Sequence, residues 1–325
     1  MRSTIKCLKN NFDRRYVRVI GTDMRDMQHN FNSLDEFHKV PRCDSPDYVD
    51  AVIKLCKSRN VDVLIPTNTI ELEWFESRRD EIESYGIALA SAGKGISLIN
   101  SKDRLDKCIN SIGLDNVPSA LVDDFEQAQK FITRNGLDKL YCIKKLFDCG
   151  ARGFRVITAC SPSSPIDKGE NRLPISALEE YLRSNGPMLM QEYLEGDELT
   201  VDMLCDKGET LYAIVKVNSS MCNGVAQKSV VVRNEYAVDI CKKIAKKASL
   251  SGNVGFDLRY SSSGSLYVID ANPRLTATVS LSYYVGINLP YLGLKYAIGE
   301  ELPKLQQQSY NAVCIRRTDD YFFVG

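Results

Sequence analysis

Two runs rich in β-branched and aromatic residues, Gly255–Tyr260 (GFDLRY) and Leu266–Asn272 (LYVIDAN), flank Ser261-Ser262-Ser263-Gly264. That pattern reads as a β-hairpin. With Ser263 and Gly264 at the tip, Asp257 lies directly opposite Asp270, and Asn272 follows on the same face. Like charges opposite one another on a ladder are destabilising. Two carboxylates and an amide converging on one spot therefore suggest oxygen ligands for a hard cation. So few ligands favour Mg²⁺ shared with a phosphate over an all-protein Ca²⁺ cage. Taken alone, the same run also describes a hairpin with solvated polar residues on its outer face.

Other segments carry weaker chemistry. Lys144 and Lys145 end a strand and point to opposite faces, so one should face inward, where a compact ammonium can hold a phosphate; taken alone, the pair reads more simply as exposed lysines at a strand end. The loop Asp148–Gly153 (DCGARG) sits between two strands, which excludes a P-loop or a dinucleotide fingerprint, since both need a following helix N-terminus. It can still fold over phosphates, or be an ordinary hairpin turn. Gln191–Glu198 (QEYLEGDE) joins two strands and reads either as a charged turn or as an extended hinge offering backbone groups to an adenine edge, with Glu198 near ribose hydroxyls. The only histidines are His29 and His38. A zinc site or a Ser-His-Asp apparatus at the hairpin is thereby disfavoured.

The elements that must position these groups follow from periodicity. Strands are expected at Tyr16–Gly21, Val61–Pro66 and Ile87–Ala90, with helices at Asp47–Arg59 and Ile70–Tyr85, the alternation of a parallel α/β domain. From Ser101 the pattern changes: a helix to Ile112, a helix at Phe125–Asn135, strands at Tyr141–Lys145 and Phe154–Ile157. A polar Cys160–Pro174 stretch and a helix at Ile175–Asn185 follow. Strands at Pro187–Tyr193, Glu198–Asp206 and Thr210–Val217 and a helix at Glu235–Ser249 lead to the hairpin. Across 325 residues, 42 basic side chains cancel 42 acidic ones, so charge argues for neither a nucleic-acid nor a membrane partner. No apolar run approaches the ~20 residues of a membrane span. Eleven cysteines without a CxxC pair fit reduced thiols in a cytoplasm.

Taken in order, SKDR (Ser101–Arg104), CIKK (Cys142–Lys145), GARGFRVI (Gly150–Ile157), QEYLEGDE (Gln191–Glu198), AQK (Ala226–Lys228), FDLRY (Phe256–Tyr260) and IDANPR (Ile269–Arg274) closely resemble the ATP-grasp superfamily. The likeness is to half-domains of the carbamoyl-phosphate synthetase large subunit and to biotin carboxylase. It implies an α/β N-terminal domain over 1–100, an ATP-grasp N-terminal subdomain over 101–187 and an α+β C-terminal subdomain over 188–325. It further implies a carboxylate–amine (or carboxylate–thiol) ligase that acts through an acyl phosphate. Arg104 and Lys144 would contact nucleotide phosphates under a loop containing Gly150 and Gly153. Gln191, Glu192 and Leu194 would line the adenine hinge, and Glu198 would bind the ribose. Asp257, Asp270 and Asn272 would hold Mg²⁺ or Mn²⁺, and Arg274 and Lys228 would be catalytic. Asp270 stands where the family usually has a glutamate, and Cys149 replaces a glycine of richer loops. The shorter Asp270 leaves open a nucleotide-binding regulatory or partner subunit without turnover; a phosphotransferase on the same fold is a further alternative. Small carboxylate and amine substrates and a homodimer complete the expectation.

Met1–Lys9 looks like the helix that should follow an opening strand and Gly-rich turn. The expectation is an apolar strand and turn encoded upstream of Met1, or else a reduced domain whose edge a partner protomer covers.

Overall fold

Apolar spacing sets the first elements. The computed structural model describes residues 2–25, 33–147, 153–158, 171–222, 225–304, 310 and 312–315. Helix α1 (Arg2–Lys9) precedes β1 (Ile20–Asp23) and β2 (Glu36–Lys39). Helix α2 (Tyr48–Ser58) buries Tyr48, Val49, Val52, Ile53 and Cys56, one stripe of a 3.6-residue period. Then come β3 (Val63–Leu64), α3 (Leu72–Ser77), α4 (Arg79–Ser84) and β4 (Ala88–Leu89). The parallel pairing expected from sequence is present, but as two separate two-stranded sheets, β1-β2 and β3-β4. Three local expectations are corrected. The first strand starts at Ile20 instead of Tyr16, whose ring is 81% exposed. The helix expected over Ile70–Tyr85 breaks at Arg78, whose backbone leaves helical geometry at φ −112° and ψ 19°. Strand β2, with Glu, His and Lys in four residues, carried no strand signal.

The middle of the chain builds a five-stranded sheet. Helix α5 (Lys102–Ser111) leads to β5 (Ser119–Val122), α6 (Phe125–Asn135), β6 (Tyr141–Lys145), β7 (Arg155–Thr158), β8 (Arg172–Pro174), α7 (Leu178–Asn185) and β9 (Met188–Glu192). Their order is β5-β9-β6-β7-β8. The Asp124 carboxylate accepts from Gln127 N–H and caps α6. Phe131, Leu178 and Leu182 from α6 and α7 pack on Ile143, Ile157 and Met190 of the sheet.

An antiparallel sheet of six strands completes the described chain, in the order β14-β13-β10-β11-β12-β15. Its elements are β10 (Glu198–Asp206), β11 (Glu209–Cys222), β12 (Val225–Val232), α8 (Glu235–Lys247), β13 (Gly252–Tyr260), β14 (Leu266–Asn272), α9 (Leu281–Tyr284), α10 (Leu289–Ala297) and β15 (Val313–Ile315). Strands β12 and β15 were not expected, although Val230-Val231-Val232 carries the β-branched signal. Alternation splits the strands into two faces: Val201, Met203, Phe256, Leu258 and Val268 pack against α5 and α8. Glu198, Thr200, Asp202, Asp257 and Arg259 therefore project from the opposite face.

The hairpin register has two parts. Ser261 N–H donates to Ser265 C=O at 2.8 Å, so the turn is longer than a Ser263-Gly264 tip, with Gly264 at φ +84°. Near the turn Tyr260 faces Leu266, but an irregularity between Asp257 and Leu258 shifts the ladder by one residue, at Ile269 on the partner strand. The bulge brings Asp257 opposite Asp270.

Candidate nucleotide and metal site

The five-stranded and six-stranded sheets face each other across a cleft of about 470 Å³. Ten of the residues singled out from sequence line it: Lys144, Gly153, Gln191, Glu192, Leu194, Glu198, Asp257, Asp270, Asn272 and Arg274. Gly150, with Asp148–Arg152, lies outside the described residues.

Strand β6 holds the two lysines differently. Lys144 is 7% exposed and donates to Gln191 Oε1 at 2.7 Å and to Ile269 C=O at 3.4 Å, while Lys145 is exposed and borders the cleft at its rim. The residue extruded by the β14 bulge thus supplies a carbonyl to the inward lysine. Gly153 lies against the Lys145 stem.

Across the cleft, Asp257 accepts from Thr200 Oγ1 at 2.7 Å and from Asn272 Nδ2 at 3.0 Å. Thr200 in turn accepts from Asn218 Nδ2 at 2.8 Å, and Ser229 Oγ donates to Asn218 Oδ1 at 2.9 Å. This file of polar groups crosses four strands and fixes the carboxylate rotamer. Burial, then the nearby Glu198 and Asp270 carboxylates, push the Asp257 pKa up to about 7. A cation at this spot would relieve both costs. Among the described residues no three His, Cys, Asp or Glu side chains form a metal cage. Two carboxylates and an amide oxygen are the donor set available, which fits an ion completing its shell with phosphate oxygens and water.

The hinge end is organised by Arg259. Its guanidinium donates to Glu198 Oε2 at 2.6 Å, Tyr193 Oη at 3.0 Å and Leu194 C=O at 3.1 Å. Glu198 enters the cleft already paired, and Glu192 is paired with Lys139 at 2.8 Å. Arg274 extends from β14 to Asn272 Oδ1 at 3.1 Å and to Thr69 Oγ1 of the N-terminal domain at 3.3 Å.

Two residues singled out from sequence are placed elsewhere. Arg104 pairs with Glu73, at 2.6 Å and 3.2 Å, and donates to Ser97 C=O, so its charge serves the boundary with the N-terminal domain. Lys228 faces Ser219 across β11-β12 with its side chain exposed. Its neighbour Ser229 takes the position toward Asn218, and alternation turns Lys228 to the other face. In exchange the structure brings in Lys102, with Nζ 3.4 Å from Asp270 Oδ1, and Arg259. Both sit inside the SKDR and FDLRY motifs; Arg259 shares Asp257's strand face, a signal the alternation rule carried.

Ammonium groups on one wall and carboxylates on the other hold a polyanion and its counter-cation together. Residues 184–317 match the family model "ATP-grasp in the biosynthetic pathway with Ter operon", and residues 2–90 match "PylC-like, N-terminal domain". The carbamoyl phosphate synthase large chain of Methanothermobacter thermautotrophicus is 24% identical over 241 residues, covering 67% of this chain and 21% of that one. The chain thus spans about a fifth of the length of this curated relative. Among solved structures, the biotin carboxylase domain dimer of Hydrogenobacter thermophilus 2-oxoglutarate carboxylase, in complex with MgADP, ADP and bicarbonate, superposes with a TM-score of 0.72. Identity is 17%, over 95% of this chain and 70% of that one. The ADP complex of purK, an N5-carboxyaminoimidazole ribonucleotide synthetase, superposes at 0.69 with 15% identity, over 94% and 76%. The ATP-grasp family match thus covers residues 184–317, and the chain shares its fold with these solved neighbours.

Proposed function

We propose that this ATP-grasp protein is an ATP-dependent ligase that joins a carboxylate to an amine, with Mg-ATP seated between its two sheets. The observation that supports this most is the apposition of Asp257, Asp270 and Asn272 to Lys144 and Lys102 across one cleft. In the proposed reaction a substrate carboxylate oxygen attacks the γ-phosphorus of ATP, the bond to the β-phosphate oxygen breaks, and ADP leaves. The amine nitrogen then attacks the acyl phosphate, inorganic phosphate departs with the C–O electron pair, and the nitrogen loses a proton. Asp257, Asp270 and Asn272 would hold Mg²⁺, or Mn²⁺ in its place, and the ion would supply charge neutralisation at the phosphates. Lys144, held by Gln191 and Ile269, positions an ammonium against the phosphates. Lys102 stands ready to leave Asp270 for the same anions, and Arg274 reaches the transferred group from the side of Thr69. Leu194 and the Glu198–Arg259 pair form the base and ribose end. A homodimer, the state named for the H. thermophilus domain, is the proposed assembly.

The experiment is ATP-dependent phosphate release over a matrix of carboxylates and amines, with Asp257→Asn and Asp270→Asn as controls. Turnover that needs both partners and is lost in each variant, together with a hydroxamate when hydroxylamine replaces the amine, is expected. Wild-type turnover in either variant removes the metal assignment. A stable phosphorylated product instead makes the protein a phosphotransferase, and Mg-ATP binding without turnover makes it a regulatory subunit.

A further inference from the structure

At the hinge end of the cleft one cation answers to three partners. Glu198 and Arg259 are cross-strand neighbours on β10 and β13, and the next pair on the same face is Thr200 and Asp257. The Glu198–Arg259 pair is nearly closed to solvent, with side-chain exposures of 13% and 16%. Nη1 of Arg259 donates to the hinge, at Tyr193 Oη and at Leu194 C=O, and the guanidinium carbon lies 5.4 Å from the centre of the Tyr193 ring. The hinge is tied to the same strand a second time. Gly196 N–H donates to Tyr260 C=O at 3.1 Å, and Tyr260 N–H donates to Asp197 C=O at 3.2 Å.

An arginine fork ordinarily takes both oxygens of a carboxylate through two parallel N–H bonds. Here Nη2 alone meets Glu198, at Oε2, while the buried Nε has no partner. The two bonds to the hinge hold the guanidinium back from the second oxygen. Glu198 is therefore gripped by one oxygen, and Oε1 is left as an acceptor in a wall of the cleft. A carboxylate already immobilised accepts from a ligand hydroxyl without a further loss of rotamer freedom. Resting on the reading that Mg-ATP fills this cleft, we propose that Arg259 is a positioning residue for sugar selectivity. It aims Glu198 Oε1 at a ribose hydroxyl, so that the site takes ribonucleotides in preference to deoxyribonucleotides. Because the same guanidinium restrains Leu194 C=O and Tyr193, base end and sugar end are held as one body.

The test is calorimetry of Mg-ATP, Mg-2′-deoxy-ATP and Mg-3′-deoxy-ATP, with magnesium tripolyphosphate as a probe that lacks the sugar. The wild type is expected to bind ATP about tenfold or more tighter than the weaker deoxy analogue, the order of a charge-assisted hydrogen bond. Arg259→Met should bring that ratio within about twofold and leave tripolyphosphate affinity within about twofold, since the phosphate contacts are distant. Glu198→Gln should lower the ratio by itself, and combining it with Arg259→Met should add nothing, because one residue acts through the other. Arg259→Lys keeps the charge without the fork; should the methionine variant fold poorly, this variant is expected to lose about threefold or more of the ratio. A wild-type ratio retained in Arg259→Met, or in Arg259→Lys where the former does not fold, overturns the proposal. Equal losses for ATP, both analogues and tripolyphosphate overturn it as well, since a merely structural arginine would give that result. A wild type that binds all three nucleotides equally sinks this inference and leaves the ligase reading standing, whereas one that binds no Mg-ATP removes both.

Discussion

At the scale of single residues, the site is decided by which side chains are already held. Lys144 is buried with one carboxamide and one carbonyl, while Lys145 is exposed to solvent at the cleft rim, so the two should differ on substitution. Lys144→Ala is expected to weaken ATP binding by one to two decades, the roughly 1.5–3 kcal/mol of a charge-assisted contact, measured by calorimetry. Lys145→Ala should cost less than threefold; equal losses would remove Lys144 from its role. Asp257 supplies a pH signature in the metal-free protein. Its folded pKa of about 7 exceeds an ordinary carboxyl value near 4, so the folded state binds the extra proton between those limits. Stability from this group is therefore greatest below about pH 4 and declines as pH rises through 7. The difference in Tm between wild type and Asp257→Asn, scanned from pH 4 to 8, should drift against the wild type as pH rises. A flat difference would mean that Asp257 ionises normally.

At the scale of elements, alternation and one bulge do the positioning. Asp202 and Lys216 lie under the cleft floor, both buried and paired to one another. Thr276 Oγ1 donates to Asp202 and Lys216 donates to Thr278 Oγ1, each at 2.7 Å, which pins the segment following Arg274. Gly255 permits this approach, since a Cβ there would stand 2.1 Å from Thr276 Cγ2. Lys216→Met leaves Asp202 buried without its cationic partner, with Thr276 still donating to it, and chemical denaturation should show a loss of about 3–5 kcal/mol. Adding Asp202→Leu should recover much of it, because removing both charges removes the desolvation penalty. A double variant no more stable than the single one would show that the hydrogen bonds to Thr276 and Thr278, not charge pairing, carry the effect.

At the scale of the whole molecule, the N-terminal domain touches the cleft through Thr69 and braces α5 through Glu73. The Arg104–Glu73 pair is partly exposed, at 28% and 33%, and pairs of this kind contribute about 1 kcal/mol or less. Arg104→Ala and Glu73→Ala are each expected to lower Tm by a few degrees at most and to leave the Kd for Mg-ATP within about twofold. A tenfold loss in Arg104→Ala alone would return this arginine to the phosphates. No described helix is long and apolar enough to cross a membrane, and the described cysteines are all free thiols.

Local order alone determined much of this protein. The motif series from Ser101 to Arg274, the helix spacing at Tyr48–Ser58 and the alternation within GFDLRY are properties of neighbouring residues. They were enough to bring out the ATP-grasp resemblance, which the family match over residues 184–317 supports, and to face Asp257 with Asp270. Even there the pairing came by a different route, a longer turn compensated by a bulge at Ile269, since turn length and bulge enter the register together. What tertiary structure decided is everything that depends on competition between distant partners. Arg104 could reach phosphates or Glu73, and packing of α5 against the N-terminal domain brings Glu73 within 2.6 Å. Lys228 could face the cleft or turn away, and the ladder with β11 fixes its face. The Ser229–Asn218–Thr200–Asp257 file joins four strands whose adjacency no local spacing encodes. Periodicity reports which face of an element is apolar. Which polar group wins a given charge is settled only when the sheets assemble and desolvate them together.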